Sequence, residues 1–445
     1  MTYLPLKNAI NQYAGSDPAR FHMPGHKGSV SPIDVTELSC TDDLQKPCNA
    51  ILESEQLCAK RLGARDAFFL VNGSTAGNLA MLSLLKPGER ILLSRNCHKS
   101  VINGISLAGI ETVSIFPDNQ GIISREAVDK ALSKNPCAAV FITSPTYRGA
   151  VSDIRGIAET AHLHGALLFV DCAHGAHFAY SEKLPAVPSS ADAWCISTHK
   201  TLAAVTQTAV LCLGVTCPFT REFVQRRLNM FQSTSPSYLL MTSIESSVLE
   251  PQDWNTHIER IKRFRESLLG ISEVSILDCN EHGSQDITRL NISYSGLSGY
   301  DLAERLENES IFPEMADSKC VTLITTPSDK EEWYERVLAS LKRIDSSIVS
   351  SKKTDEIEIE ALCGSAVLSV RGAVTAESDS ILLHDSVGMI CAEAVGCYPP
   401  GVSVLFPGET ITRSAVDFLE KESSLGAELF GVQGEKVTIV RNSRE

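Results

Sequence analysis

Between residues 50 and 215, short apolar, β-branched runs alternate with amphipathic stretches. That rhythm marks a parallel sheet covered by helices, because parallel strands need crossover connections and are buried on both faces. The strand candidates are Ala67 to Val71, Ile91 to Ser94, Thr112 to Phe116, Ala138 to Thr143, Ala166 to Asp171, Ala193 to Ser197 and Thr208 to Leu213. Helices are expected over Ala76 to Leu85, Lys99 to Ala108, Ser124 to Ser133 and Ile154 to His164, each opened or closed by a Ser, Pro or Gly signal. The expected fold class is α/β, a large domain on a mainly parallel seven-stranded sheet, with smaller α+β domains towards the C-terminus.

The 445 residues, 43% of them hydrophobic, allow two or three domains at roughly 150 residues each. An N-terminal arm, residues 1–49, holds FHMPGHKG and DVTELSCTDDLQKP and shows little periodicity. It reads as an extended segment packed on a surface, of the kind that reaches a partner subunit. The large α/β domain is expected over 50–245, followed by a helical linker and small α+β domain over 246–350 that includes the helix Tyr300 to Glu309. The polar run Ser346 to Glu356 marks the boundary with a C-terminal domain, 351–445.

Composition removes several classes of function. With 40 Lys+Arg against 54 Asp+Glu the net charge is −14, which gives no general attraction to nucleic acid or to an anionic membrane. The first residues lack a signal-peptide pattern, and no stretch approaches the roughly 18 uninterrupted apolar residues of a spanning helix. The fourteen cysteines include no CxxC pair, and Cys172, Cys195 and Cys212 sit in apolar runs as small buried hydrophobes. A cytoplasmic location is expected. The pairs His162/His164 and His174/His177 lack supporting Cys or Glu ligand spacing, so no metal is expected. No G-x-S-x-G elbow follows a strand, which disfavours a Ser-His-Asp hydrolase.

Ligands of open parallel sheets bind beyond the carboxyl ends of the strands, and here the residues at those ends are polar. After the first strand, Gly73, Ser74 and Thr75 open a helix and form either a phosphate cradle or an ordinary N-cap. Asp171 closes the fifth strand. It either caps local amides or pairs with a protonated ligand nitrogen, because a buried carboxylate without a partner is costly. Ser197-Thr198-His199-Lys200 follows the sixth strand. An amine for a Schiff base, a carboxylate for a pyridine nitrogen and a hydroxyl-rich helix start are the three parts that a pyridoxal 5′-phosphate site requires. His98, after the second strand, would stack on the pyridine ring or cap its helix. Thr143 and Ser144, after the fourth, would bond the cofactor's phenolic oxygen or cap a turn.

The segments FHMPGHKG, DVTEL with DDL, NGSTAGN, RNCHKSV, ITSPTY, DCAHGAHF, STHKTL, STSPSYLLMTSIE and YPPGVSVLFPGE occur in the order found in bacterial ornithine/lysine/arginine decarboxylases. The chain resembles the short form of that family, whose fold is aspartate-aminotransferase-like, fold type I. The resemblance implies that Lys200 carries the Schiff base, Asp171 binds the pyridinium, His98 stacks on the ring and Ala173 packs beneath it, beside His174. It further implies that Ser74, Thr75, Ser197 and His199 surround the phosphate, and that Ser233, Thr234 and Ser235 reach a neighbouring subunit's cofactor. A homodimer, able to build larger assemblies, follows from that.

The activity so implied is decarboxylation of a basic amino acid to its amine and CO2, with arginine preferred over lysine and ornithine and with Lys200 or His199 returning the proton to the α-carbon. Glu37, Asp42, Asp43 and Glu393 are candidates for the substrate's cation. Two features depart from the family pattern: TELSCTDDLQKP stands where TELPGLDDLHHP is usual, and Arg148 replaces an acidic or neutral residue. They keep two rivals in view, another reaction of the same cofactor (an aminotransferase or β-eliminating lyase) and a cofactor-binding protein that regulates rather than decarboxylates.

Overall fold

Each of the seven expected strands forms, with ends displaced by no more than one residue: β1 Asp66–Leu70, β2 Arg90–Ser94, β3 Glu111–Ile115, β4 Ala139–Thr143, β5 Leu167–Asp171, β6 Ala193–Ile196 and β7 Ala209–Leu213. The computed structural model describes residues 2–278, 284–344, 359–398 and 401–441. The polar run Ser346 to Glu356, and with it the boundary expected at 350/351, lies outside the described residues, as do the two prolines of YPPG. The chain divides into two compact units: residues 1–86, 138–144 and 154–253, and residues 87–137, 145–153 and 254–445.

In the first unit five strands lie in the order β1-β7-β6-β5-β4. β4 pairs in parallel with β5, and β5 with β6, while β7 is antiparallel to both β6 and β1. Only β7 runs against the others. The carboxyl ends of β1, β4, β5 and β6 therefore share one edge with the start of β7. These strands are buried almost throughout, Phe68, Phe69, Phe141, Phe169 and Trp194 included, which is why they read as unbroken apolar runs.

Two sequence expectations are corrected here. The helix after β1 is Gly73–Leu82, not Ala76 to Leu85. Gly73 takes a left-handed φ of 71° and donates its N–H to the carbonyl of Gln207 at 2.9 Å, so the chain turns there and Ser74 and Thr75 fall inside the first helical turn. The N-terminal arm is not extended throughout, because Pro5–Gly15 is a helix with Leu6 and Ile10 buried. Its N-terminus is capped from far along the chain: the Glu245 carboxylate accepts the N–H groups of Leu6 and Lys7, both at 2.8 Å.

Among its described residues the second unit contains β2 and β3, paired in parallel, and four small antiparallel assemblies, the smallest of which pairs Ala150–Val151 with Ser284–Gln285. A four-stranded sheet ordered Met315–Ala316, Val321–Ile324, Arg289–Tyr294, Val274–Ile276 packs on helices Trp254–Leu269, Gly299–Asn308 and Glu331–Arg343 around Leu290, Ile292, Leu302 and Leu341. Beyond it, Val402–Leu405, Val395–Tyr398 and Glu428–Phe430 form one three-stranded sheet, and Ser378–Leu382, Lys436–Val440 and Val432–Gln433 another. The helix Arg413–Ser424 shares their core.

A buried ion pair fixes β2 to this C-terminal region. Arg95 is fully buried; its guanidinium donates to Glu409 Oε1 at 2.6 Å, to Glu409 Oε2 at 3.2 Å and to the Val404 carbonyl at 2.9 Å. The ring of Phe406 lies 3.5 Å from the guanidinium carbon. Removing one partner would strand the other charge without water. Glu409→Ala is expected to destabilise the protein by about 3–5 kcal/mol, measured by chemical denaturation, whereas a typical surface Glu→Ala shifts the same curve by less than about 0.5 kcal/mol.

Candidate active site

Asp171 ends β5 with its side chain buried, 3% exposed. Its Oδ2 accepts from Asn78 Nδ2 at 2.9 Å and its Oδ1 from the N–H of Ala173 at 3.1 Å. Both donors are neutral, and among the described residues the carboxylate has no ion pair. Asn78 lies one turn beyond Ser74, so the helix that presents the hydroxyl turn also holds the carboxylate. Gly77 lets that helix settle on β6: a Cβ there would stand 2.5 Å from Cys195 Sγ and 2.9 Å from Leu70 Cδ1. The Cys195 thiol in turn donates to the Ser74 carbonyl at 3.7 Å.

The start of β7 ties two strand-end turns together. Gln207, at a left-handed φ of 81°, sends its Nε2 to the Val71 carbonyl at 2.5 Å while its own carbonyl receives Gly73. The carbonyl of Thr208 accepts the Thr198 N–H at 3.1 Å and His199 Nδ1 at 2.8 Å. The Ser197 N–H donates to Ala173 O at 3.3 Å, and Ser144 N–H to Asp171 O at 3.0 Å. Lys200, in the short helix Thr198–Thr201, brings its Nζ to 3.0 Å from His174 Nε2. The structure thus knits Gly73, Ser74, Ser144, Asp171, Ala173, His174, Ser197, His199 and Lys200 into one bonded cluster of the first unit, with Thr75 exposed beside Ser74.

Three hydroxyls at this edge, Thr143 Oγ1, Ser197 Oγ and Thr201 Oγ1, are buried with no hydrogen-bond partner among the described residues. Leaving a buried hydroxyl unmade costs about 1–3 kcal/mol, so such groups mark where a polar ligand belongs. Hydroxyls without partners, a carboxylate held only by neutral donors and an amine in the same network fit a phosphorylated pyridine aldehyde. Burial, with the Lys200 charge acting in the same direction, pushes His199 below the ordinary histidine range against the pull of the Thr208 carbonyl. His199 is therefore neutral at pH 7, its proton on Nδ1. Burial, reinforced by the Asp171 charge, pushes the Cys172 and Cys195 thiols up, so neither is a thiolate.

Other expected residues are not part of that bonded cluster. His98 belongs to the second unit, where its Nδ1 caps Lys99–Ala108 by accepting the Ser100 N–H at 3.2 Å. Glu393, also of the second unit, is exposed and lines a cavity with Lys99 and Phe430. Ser233, Thr234 and Ser235 are exposed, on a segment anchored by Gln232, whose buried amide bonds Val71 N–H and Phe69 O. Asp43 Oδ1 accepts the Gln45 N–H at 2.8 Å. Glu37 accepts from Thr36 Oγ1 through Oε2, while its Oε1 is buried without a partner among the described residues.

Asp42 serves as a cap for backbone amides. It accepts the N–H groups of Asp43, Cys48, Asn49 and Ile51 between 2.8 and 3.2 Å, a set already filling its oxygens. Burial opposes its charge, but the amides of Asn49, Asp43 and Cys48 outweigh burial and hold the carboxyl below its usual range. Arg148 ion-pairs with Asp317, so the cation that departs from the family pattern is matched within its own unit. Of the histidine pairs, His162 Nε2 lies 2.9 Å from Asp192, and His177 is buried against the Phe178 ring.

Asn78, Gln207 and Gln232 are the residues that sequence reasoning missed. Asn78 carried a detectable signal, its i+4 spacing from Ser74 on the helix that opens the site.

The chain matches the Orn/Lys/Arg decarboxylase major domain over residues 4–288 and the C-terminal domain of the same family over residues 358–440. It is 33% identical over 463 residues to a Bacillus subtilis protein named uncharacterized protein YaaO, covering 96% of each chain. To the Bacillus subtilis arginine decarboxylase it is 29% identical over 486 residues, covering 99% of this chain and 98% of the relative. The solved lysine decarboxylase A of Pseudomonas aeruginosa superposes with a TM-score of 0.83 at 17% identity, over 98% of this chain and 80% of that one, a likeness of fold. An alanine–glyoxylate aminotransferase from Nostoc superposes at 0.55 over 77% of this chain and 92% of that one, at 15% identity. The chain belongs to the Orn/Lys/Arg decarboxylase family, pyridoxal-phosphate-dependent enzymes on the fold type I scaffold.

Proposed function

We propose that the protein decarboxylates a basic amino acid, arginine in preference to lysine or ornithine, releasing CO2 and the corresponding amine. The observation that carries this reading is the single bonded cluster joining Lys200, Asp171 and the hydroxyl turn within one unit. Arginine is favoured because relatives named arginine decarboxylase are 28–29% identical over 91–99% of the chain, whereas the two Escherichia coli lysine decarboxylases that match over 95–96% of it are 21–22% identical.

In this reading Gly73, Ser74, Thr75, Ser197 and His199 hold the phosphate, Asp171 the pyridine nitrogen and Lys200 the aldehyde carbon. Ala173 packs beneath the ring and His98 stacks on it. Ser144 bonds the phenolic oxygen. The cofactor, when bound, supplies an electron sink for the pair left by the departing carboxylate. Asp171 keeps a proton on the pyridine nitrogen; Asn78 and the Ala173 N–H keep that carboxylate aimed. Glu37, with one oxygen buried and without a hydrogen-bond partner among the described residues, is our choice for the substrate's cationic end. Exposed Ser233, Thr234 and Ser235 reach a second protomer's site, which makes the homodimer the active unit. A reducing, cytoplasmic setting suits the thirteen described cysteines, all of them free.

Incubating the cofactor-loaded protein with arginine, lysine and ornithine separately, and identifying the amine formed, tests the reading directly; a keto acid in place of CO2 would refute it. Lys200→Ala is expected to abolish both the amine and the visible absorbance of bound cofactor, and wild-type turnover in that variant removes the lysine from the mechanism. Asp171→Ala should retain cofactor yet lose roughly two or more orders of magnitude in kcat. Glu37→Gln is expected to raise KM for the preferred substrate by about tenfold with a smaller change in kcat, since a hydrogen bond to a charged group contributes about 1.5–3 kcal/mol.

A further inference from the structure

The Lys200 amine lies 3.0 Å from His174 Nε2. Under the decarboxylase reading that amine leaves the cofactor once in every turnover. The substrate's amino group takes the cofactor's aldehyde carbon, and Lys200 is released as a free amine. His174 is three residues beyond Asp171, in the turn that Asp171 itself fastens, and is 3% exposed, so its ring is a fixed feature of the edge.

Resting on that reading, we propose that His174 is the positioning residue for the returned proton: its Nε2 accepts a hydrogen bond from the released Lys200 ammonium and so makes Lys200 the group that protonates the α-carbon. The proton that the substrate's ammonium sheds on entry is the one Lys200 then carries. Decarboxylation breaks the bond from the α-carbon to the carboxyl carbon and leaves its electron pair behind, and the Lys200 proton joins the α-carbon with that pair. Lys200, now a neutral amine, uses its lone pair to re-form its bond to the cofactor's aldehyde carbon. Its two hydrogens pass to the nitrogen of the departing amine.

A neutral imidazole suits this task because it accepts without competing as an acid, and an acceptor on the ammonium favours the charged lysine. Acceptance through Nε2 places the ring proton on Nδ1. His199 is a poorer candidate. Its Nδ1 proton is committed to the Thr208 carbonyl, and burial keeps the ring neutral.

The test compares wild type with His174→Phe, which removes the acceptor, and His174→Gln, which keeps one. In D2O the wild-type amine should carry one deuterium at the α-carbon in a single configuration. The Phe variant should give deuterium on both faces, and aldehyde plus pyridoxamine phosphate, from protonation at the wrong carbon, about tenfold above wild type. The Gln variant should stay near wild type. A second arm uses the cofactor-free protein: cyanate labelling of Lys200 at pH 8, read by mass spectrometry, should be about tenfold faster in the Phe variant, whose lysine is more often neutral.

A single configuration and unchanged aldehyde in the Phe variant overturn the proposal, whatever the labelling shows. Should wild type release no CO2 from any of the three amino acids, the decarboxylase reading fails by itself. The labelling arm then decides, and equal rates in wild type and the Phe variant overturn the positioning role.

Discussion

A carboxylate at the end of a buried parallel strand sets the terms for everything near it. Asp171 cannot keep its charge away from water without donors, and the structure supplies two: one from its own turn through Ala173 and one from Asn78 on the helix that follows β1. To deliver Asn78 the helix Gly73–Leu82 must lie close on β6, which the missing side chain of Gly77 permits. Ser74 and Thr75 then arrive at the same edge as a consequence of holding Asp171. Burial raises the thiols of Cys172 and Cys195, and the Asp171 charge adds to it. One electrostatic requirement thus explains the hydroxyl turn's place.

The reversal of β7 is the second constraint. Had β7 run parallel, its first residues would lie at the far edge of the sheet. Because it is antiparallel, Gln207 and Thr208 meet the turns after β1 and β6, and their carbonyls bind Gly73, Thr198 and His199. The lysine-bearing turn and the hydroxyl-bearing turn are referred to one dipeptide rather than to each other. The strain of a left-handed Gln207 is offset by its side-chain bond to Val71.

The strands were legible because burial on both faces writes continuous apolar runs, and Lys200 and Asp171 were legible because they interrupt those runs at their ends. Features set by distant partners were not. The helix Pro5–Gly15 shows modest periodicity, and its cap is Glu245, separated from it by 239 residues. Gln207 and Gln232 act through backbone groups of β1 and its flanking turn, contacts that arise from the strand order and from no local pattern. The carboxylates at 37, 42 and 43 look alike in sequence; only the four amides gathered on Asp42 separate a cap from its neighbours.

That separation bears on the two departures from the family pattern. In TELSCTDDL, Ser39, Cys40 and Thr41 stand where proline, glycine and leucine are usual, a change that removes residues whose backbone preferences favour a tight turn. Thr41 restores the turn by other means: its buried hydroxyl donates to the Thr36 carbonyl at 2.6 Å and accepts the Leu38 N–H at 2.9 Å. Tyr238 then fastens the next carbonyl, that of Asp42, at 2.5 Å. Arg148 is likewise answered nearby in its own unit by Asp317. Each departure is explained by bonds inside its own unit, so neither is evidence of a dismantled substrate pocket. The case for a cofactor-binding regulator loses the two sequence features that had raised it.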